Sequence, residues 1–336
     1  MDFTPTEEQA AVRGLAVDLF ATATHPGLGV EGFDTALYGR LVEGGLLGLS
    51  VSEALGGGGL PLAVSAVVAE EAGKAAARTP VVPVLAALPL LEDPALIAAV
   101  LDGSAIVVPA LQGDGWSGGL AESGGTLSGT QVAVAWGAEA SHAVVAADGS
   151  LFLVSLDQPG VTRTDVVVSS HEPHATLTFD AAAANPLSAA VADALARTTL
   201  LQCSQGVGVA EASLLIAAKH VSTREQFGKP LAAFQAITYQ VADCYIDVEA
   251  MRLTAAQAIW RLDAGEPAAE QTAIAAFWCA DAIQRVVSKA VHLHGGLGVD
   301  VSYPLHKWFL IGKVLELSLG GAQRSLEDLG ELLAAR

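Results

Sequence analysis

A helix-periodic run that breaks once, at a charged joint containing glycine, constrains this chain more than any other feature. From Ala194 onward, apolar or small residues at Leu200, Cys203, Val207, Ala210, Leu214, Ala217 and Val221 recur at three- and four-residue spacing. That spacing describes one long helix with a single buried face. Phe234, Ile237, Val241, Tyr245 and Val248 resume the pattern. Two helices therefore flank Ser222 to Pro230, where Gly228 and Pro230 punctuate the join. The corner presents the Arg224 guanidinium, the Gln226 amide and the Phe227 ring. Such a set suits an anionic, planar ligand, since arginine pairs with phosphate through a planar donor fork and the ring offers an apolar face. A solvated arginine beside a core phenylalanine at a plain helix turn is the competing reading.

A chain of 336 residues, 52% hydrophobic and 16% charged, can bury a large core and has room for two or three domains. With 36 acidic residues against 17 basic ones, the net charge of -19 sets a phosphate-backbone partner aside, so no nucleic acid is expected. The most apolar run, Pro80 to Leu101, is interrupted by Pro83, Pro89, Pro94 and the pair Glu92-Asp93. It falls short of the roughly 20 uninterrupted residues that a span needs, so short core helices and no membrane association are expected. The acidic start MDFTPTEEQ lacks a basic n-region, and no signal peptide is expected. Cys203, Cys244 and Cys279 lie in apolar helical contexts without a CxxC pair, which fits buried reduced thiols in a cytoplasmic protein.

Thr4-Pro5-Thr6-Glu7-Glu8 reads as a helix start, with a hydroxyl cap at Thr4, Pro5 at the first helical position and Glu7 and Glu8 in the first turn facing the positive dipole end. Val12, Leu15, Ala16, Leu19 and Phe20 form its apolar face, and further helices are expected over 33–43 and 64–77. Around Ser104 the texture changes to short Val- and Thr-rich runs. Strands are expected at Ile106–Val108, Thr126–Leu127, Val132–Trp136, Ala143–Ala147, Leu151–Leu156 and Ala175–Phe179, with Asp148-Gly149 as a hairpin turn. Helical pattern returns from Pro186 to the end. The expected architecture is α+β, mainly α: an N-terminal helical domain over 1–103, a middle antiparallel β domain over 104–186 and a C-terminal four-helix-bundle domain over 187–336.

Several patterns imitate sites. Gly206-x-Gly208 sits inside a helix with no strand before it, which favours close helix packing over a dinucleotide fingerprint. His171-x-x-His174 and His292-x-His294 lack a further cysteine or carboxylate cluster, so no metal is expected. There is no G-x-S-x-G elbow.

STREQFGKPLAAFQAITYQVAD resembles the acyl-CoA dehydrogenase signature R-x-x-F-G-x-x-(I/L)-x-x-x-Q-x-x-x-x-x-(L/M/V)-A-(D/E). AVHLHGGLGVDVSYPLHKWF, residues 290–309, is similar to that family's Q-x-x-G-G-x-G-(F/Y)-x-x-x-(Y/F)-P stretch, with His292 where glutamine is usual. Residues 46–60 look like its G-L-L-G-(L/I)-x-x-P-E-x-x-G-G-x-G loop, with Ser52 for proline, and Glu70-Glu71 with Gly73 matches its E-E-(L/I)-G run. The order of helical, sheet and helical segments agrees, and the resemblance covers nearly the whole chain.

Members of that family remove a proton from Cα and a hydride from Cβ of an acyl-CoA, passing the hydride to FAD and leaving a 2-enoyl-CoA. The resemblance assigns the adenosine side of FAD to Arg224, Gln226, Phe227, Gln235, His292 in the glutamine's place, Gly295, Gly296 and Gly298. It also implies that the base is missing. Leu319 stands where a glutamate precedes glycine near the C-terminus, and Ala196 stands at the alternative position before Arg197. The expected T-E-P-x-x-G-S segment reads VPALQGDGWSGG, and Ala133-Val134-Ala135-Trp136-Gly137 replaces the W-I-(T/S)-N-(G/A) strand that meets the isoalloxazine. The chain accordingly resembles the short, base-lacking subunit of the α2β2 acyl-CoA dehydrogenases that actinobacteria use on CoA-activated steroid side chains. That resemblance implies a glutamate-bearing partner subunit, an acyl-CoA substrate and an FAD shared between the subunits. An active homo-oligomer using a displaced carboxylate such as Glu316 or Asp300, and a non-enzymatic scaffold, are the other readings of the same residues.

Overall fold

A computed structural model describes residues 3–24, 32–111 and 119–335. Among the described residues, helices come first: α1 (Glu7–Phe20), α2 (Thr35–Glu43), α3 (Leu62–Lys74), α4 (Val81–Ala87) and α5 (Pro94–Leu101). Eight strands follow: β1 (Val107–Ala110), β2 (Leu120–Ser123), β3 (Thr126–Ala135), β4 (His142–Ala147), β5 (Ser150–Ser155), β6 (Val161–Val166), β7 (His174–Ala183) and β8 (Asn185–Leu187). Next come α6 (Val191–Thr223), a small ribbon of β9 (Glu225–Gln226) with β10 (Lys229–Pro230), and α7 (Gln235–Asp263), α8 (Ala269–His294), α9 (Leu305–Ser318) and α10 (Gly321–Ala334). The secondary structure thus has the expected α+β composition, with helices at both ends of a β stretch.

The chain packs as two units that interleave in sequence. One comprises residues 29–65 and 78–201, the other residues 1–28, 66–77 and 202–336.

In the first unit, two four-stranded sheets run β1-β4-β5-β8 and β2-β3-β7-β6. Val108, Leu127, Val134, Val145, Phe152, Leu177 and Phe179 from both sheets share one buried cluster, so the sheets bury their inner faces on each other. The stretch is not wholly antiparallel, because β1 pairs with β4 in parallel, Val107 opposite His142. Asp148 and Gly149, at φ 46° and 78°, form the expected two-residue turn joining β4 to β5. The two runs expected at 126–127 and 132–136 are a single strand. β3 breaks register with β7 between Leu127 and Gly129 and again between Gln131 and Val134, with Ala133 at φ 51°. These bulges interrupt the period-two alternation and hide the strand's continuity. β6 escaped the sequence reading because, at the sheet edge, its residues are exposed or half-buried and carry no apolar stripe.

The second unit is helical. Thr6 caps α1, accepting from the Gln9 N–H while the Gln9 side chain accepts from the Thr6 N–H. The cap is therefore Thr6 and not Thr4, and Pro5 precedes the helix. The Gly206 and Gly208 pair serves packing, as its helical context indicates. A Cβ on Gly206 would lie 2.6 Å from Cys279 Sγ, and one on Gly73 of α3 would lie 2.1 Å from the Gln205 carbonyl oxygen of α6. All three cysteines are free and buried. Among the described residues α6 is the one helix long and apolar enough to cross a membrane, yet 72% of its apolar window is buried inside the fold.

Charged side chains lie between these helices. Glu70 of α3 meets Lys74 at 2.9 Å and Arg252 of α7 at 2.6 Å, and Glu211 of α6 meets both cations at 3.0 Å. Arg13 of α1 pairs with Glu70 and Glu71. Burial by itself raises the Glu70 carboxyl, but Arg252, then Lys74 and Arg13, outweigh it and hold it at about 2.

Candidate functional site

The Arg224 corner follows from how α6 ends. The Arg224 N–H still donates to the His220 carbonyl (2.9 Å), while its own carbonyl accepts from Leu231 N–H (2.8 Å) and closes the loop. Between these bonds Gln226 pairs with Lys229, and Phe227 and Gly228 take φ of 54° and 77°. Two positive φ values make the tight turn that suits a twisted two-residue hairpin. For phenylalanine the left-handed region costs about 1 kcal/mol. Its ring is 91% exposed, which rules out the core-phenylalanine reading of the corner. Phe234 meets that ring edge-on at 6.2 Å, and Lys229 Nζ lies 4.2 Å from the Phe234 centroid. Gln226 Nε2 donates to Glu225 O (2.9 Å), and Gln235 Nε2 donates to the Tyr239 hydroxyl. Arg224, Gln226 and Gln235 are all exposed. A groove of about 500 Å³ opens at the hairpin root, walled by Val221, Ser222, Ala232, Ile237, Val241 and Tyr245 among others.

The second component begins where α8 stops. Gly295 takes φ 60° and opens a 3-10 turn through Val299. A Cβ on Gly298 would lie 2.4 Å from the Val291 carbonyl oxygen, so packing dictates that glycine. Gly295 and Gly296 are different. Both are exposed with nothing within 4 Å of a Cβ, and they leave bare backbone open to a ligand. His292 is exposed in the last turn of α8.

A histidine stack joins the two components. His220 of α6 lies on His294 of α8 with centroids 4.2 Å apart and planes at 24°. His294 is buried, its Nδ1 2.7 Å from the Ala290 carbonyl and its Nε2 3.1 Å from the Tyr303 hydroxyl. Ala217, Val221, Ala290, Leu293 and Leu305 form the apolar cluster of the same helix ends. Sequence reading did not single out His220 or Tyr303, and it weighed His294 only as half of a metal pair. Position carried the missed signal: His220 lies one helical turn before Arg224, and His294 directly precedes Gly295.

This donor set fits the adenosine-diphosphate end of FAD. Arg224 and Lys229 supply positive charge, Gln226 and Gln235 supply amides, Gly295 and Gly296 leave backbone bare, and Phe227 offers an aromatic face. The stretch assigned to the isoalloxazine does not fit it. Residues 112–118 of the VPALQGDGWSGG segment lie outside the described residues. Ala133 to Gly137 carries no hydroxyl, and the one indole, Trp136, is buried and packed edge-on against Phe33 at 5.5 Å.

Leu319, half-buried, caps the C-terminal end of α9, and Ala196 lies within α6. The candidate replacement carboxylates are engaged elsewhere. Glu316 pairs with Lys313, and Asp300 accepts from both the Ser302 N–H and hydroxyl at 2.8 Å, which pull its carboxyl below the usual range. A base working near neutral pH needs the opposite shift.

Two family models match the chain: the acyl-CoA dehydrogenase N-terminal domain over residues 6–93 and the C-terminal domain over residues 188–333. The acyl-CoA dehydrogenase FadE27 of Mycobacterium tuberculosis is 33% identical, covering 99% of each chain. Among solved structures, a variant of the Tcur3481-Tcur3483 steroid ACAD is similar at TM-score 0.92 and 37% identity, covering 98% of each chain. The ChsE4-ChsE5 complex of Mycobacterium tuberculosis is similar at TM-score 0.93 and 32% identity, covering 100% of each.

Proposed function

Because this chain belongs to the acyl-CoA dehydrogenase family, we propose that it is the base-lacking subunit of a heteromeric, FAD-dependent acyl-CoA dehydrogenase. In this reading it works in the cytoplasm beside a glutamate-bearing partner in an α2β2 assembly, on the CoA thioester of a steroid side chain. Its three domains are bounded near residues 103 and 186.

The carrying observation is the contrast between the two ends of the cofactor on one chain. At the adenosine end, cationic, amide, aromatic and bare-backbone groups are all present and exposed. At the reacting end, Leu319, Ala196 and the inward-packed Trp136 supply neither a proton acceptor nor a hydroxyl. FAD, when bound, accepts the hydride that leaves Cβ of the acyl-CoA. This chain's share is to hold the far end of the cofactor. Arg224 pairs with the pyrophosphate, Phe227 covers the adenine, Gln226, Gln235 and His292 serve polar edges, and the Gly295-Gly296 backbone admits close approach. The engagement of Glu316 with Lys313 and of Asp300 with Ser302 counts against a lone enzyme with a displaced base. Two of the similar structures carry paired names and one of these is called a steroid ACAD, which supports the heteromeric steroid reading.

The test is to express the chain alone and with a glutamate-bearing partner, then record flavin spectra and acyl-CoA oxidation. Flavin and turnover are expected only in the complex, at one flavin per heterodimer. Full occupancy and turnover by the isolated chain overturn the reading, and so does a complex that restores neither.

A further inference from the structure

The stacked histidines sit beneath the anion corner in an arrangement that responds to charge. His294 Nδ1 faces the Ala290 carbonyl, which can only accept, so Nδ1 carries the proton; in the neutral ring Nε2 then accepts from the Tyr303 hydroxyl. His220 lies parallel on this ring at 4.2 Å. Two imidazolium cations at that distance repel each other strongly at the effective dielectric of a protein surface. A proton on one ring therefore disfavours a second proton on the other. Arg224 follows His220 by one turn and adds a fixed positive charge.

Titratable and charged groups face His220 from several elements. Arg224 comes from its own helix, His294 from α8, and Tyr303, behind His294, from the turn before α9. From α9 itself His306 donates through Nδ1 to the Tyr303 carbonyl (2.7 Å). Leu231, Ala232, Ile237 and Val241, packed against the same cluster, are apolar. Burial first, then His294 and Arg224, push the His220 imidazole below its ordinary value.

We propose that His220 and His294 form a proton-linked joint under the Arg224 corner, so that a diphosphate binding there is accompanied by proton uptake into the stack. This rests on the reading of the corner as a diphosphate site. An anion on Arg224 offsets that cation's share of the field on His220, so the stack binds a proton more readily in the occupied state. By linkage the diphosphate then binds more tightly as pH falls through the range where the stack titrates. The joint makes His220 and His294 positioning residues, tying the end of α6 to the Gly295 turn.

The experiment titrates ADP into the flavin-depleted complex of this chain with its partner by calorimetry at about pH 6 and about pH 8, in buffers of different ionisation heat. ADP itself gains a proton over this range, so the native chain is compared with His220→Gln, in which the ligand's own titration is unchanged. The native chain is expected to gain about threefold more affinity between the two pH values than His220→Gln does, with a net proton uptake that the variant lacks. The His220 ring-proton resonance is expected to titrate at higher pH with ADP bound than without. A variant that only loosens the fold lowers affinity alike at both pH values and takes up the same protons. Equal pH dependence in the native chain and His220→Gln, with binding still lost in Arg224→Ala, overturns the joint and leaves the diphosphate site standing. No ADP binding, or binding indifferent to Arg224→Ala, overturns the site and the joint with it.

Discussion

The Cβ that Gly208 lacks would lie 1.9 Å from the carbonyl oxygen of Glu70. Helices α3 and α6 touch backbone to backbone there, and the carbonyl belongs to the residue whose carboxylate gathers Arg13, Lys74 and Arg252. Gly208→Ala is therefore expected to lower stability by about 3 kcal/mol through overpacking, despite alanine's better helix propensity. Gly14→Ala is the control. Position 14 is exposed in α1 with nothing within 4 Å of a Cβ, so this change is expected to raise stability by up to about 1 kcal/mol. Thermal unfolding of both variants beside the native chain checks the opposite signs.

The Glu70 network carries a pH signature. Its folded carboxyl is held at about 2, below the ordinary 4.5. A depressed carboxylate contributes stability that is fully present above its unfolded value and is lost as pH falls through its folded one. Glu70→Gln is expected to cost about 3 kcal/mol near neutrality by leaving the half-buried Arg13, Lys74 and Arg252 underpaired. Denaturation measured down the pH scale should show native chain and variant converging between 4.5 and about 2.

Phe227 separates binding from folding. Its ring is 91% exposed and its backbone is strained at φ 54°. Phe227→Asn is expected to leave stability within about 0.5 kcal/mol of the native value, because asparagine tolerates that φ. The same change, like Arg224→Ala, is expected to lower flavin retention in the assembled complex. Flavin content per heterodimer, read beside the unfolding midpoint, checks both halves.

Substrate width is a further expected outcome. A subunit relieved of catalysis can recede and leave one wide cleft per heterodimer, which suits a polycyclic acyl group. The reconstituted complex should show higher kcat/KM on a steroid-side-chain CoA than on octanoyl-CoA. Preference for the linear substrate refutes the steroid assignment and leaves the heteromeric reading intact.

Much of this was legible in the chain itself. Three- and four-residue spacing located α6 and α7 and the break between them, because helical burial repeats along neighbouring residues. Asp148-Gly149 announced its hairpin because few residues adopt two consecutive positive φ values. The Arg224, Phe227 and Gly295-Gly296 positions stood out through family spacing, and the structure leaves all of them exposed at the ends of the helices that carry them.

What only tertiary structure decided are relations between residues distant in sequence, where no local period carries information. Trp136 could have faced a ligand, and its burial against Phe33 sends it inward. Gly298 and Gly295 look alike in sequence, yet the Val291 carbonyl crowds only the former. His220 and His294 meet because α6 and α8 pack their ends over a shared apolar cluster. Sequence determined the helices, the strands that carry an apolar stripe and the residue types each loop presents, since those follow from local backbone preference and patterning, whereas the edge strand β6 and the bulged continuity of β3 were set by sheet pairing. Which side chains stack, pair or turn inward was set by packing, since a contact's energy depends on distances that only the folded chain defines.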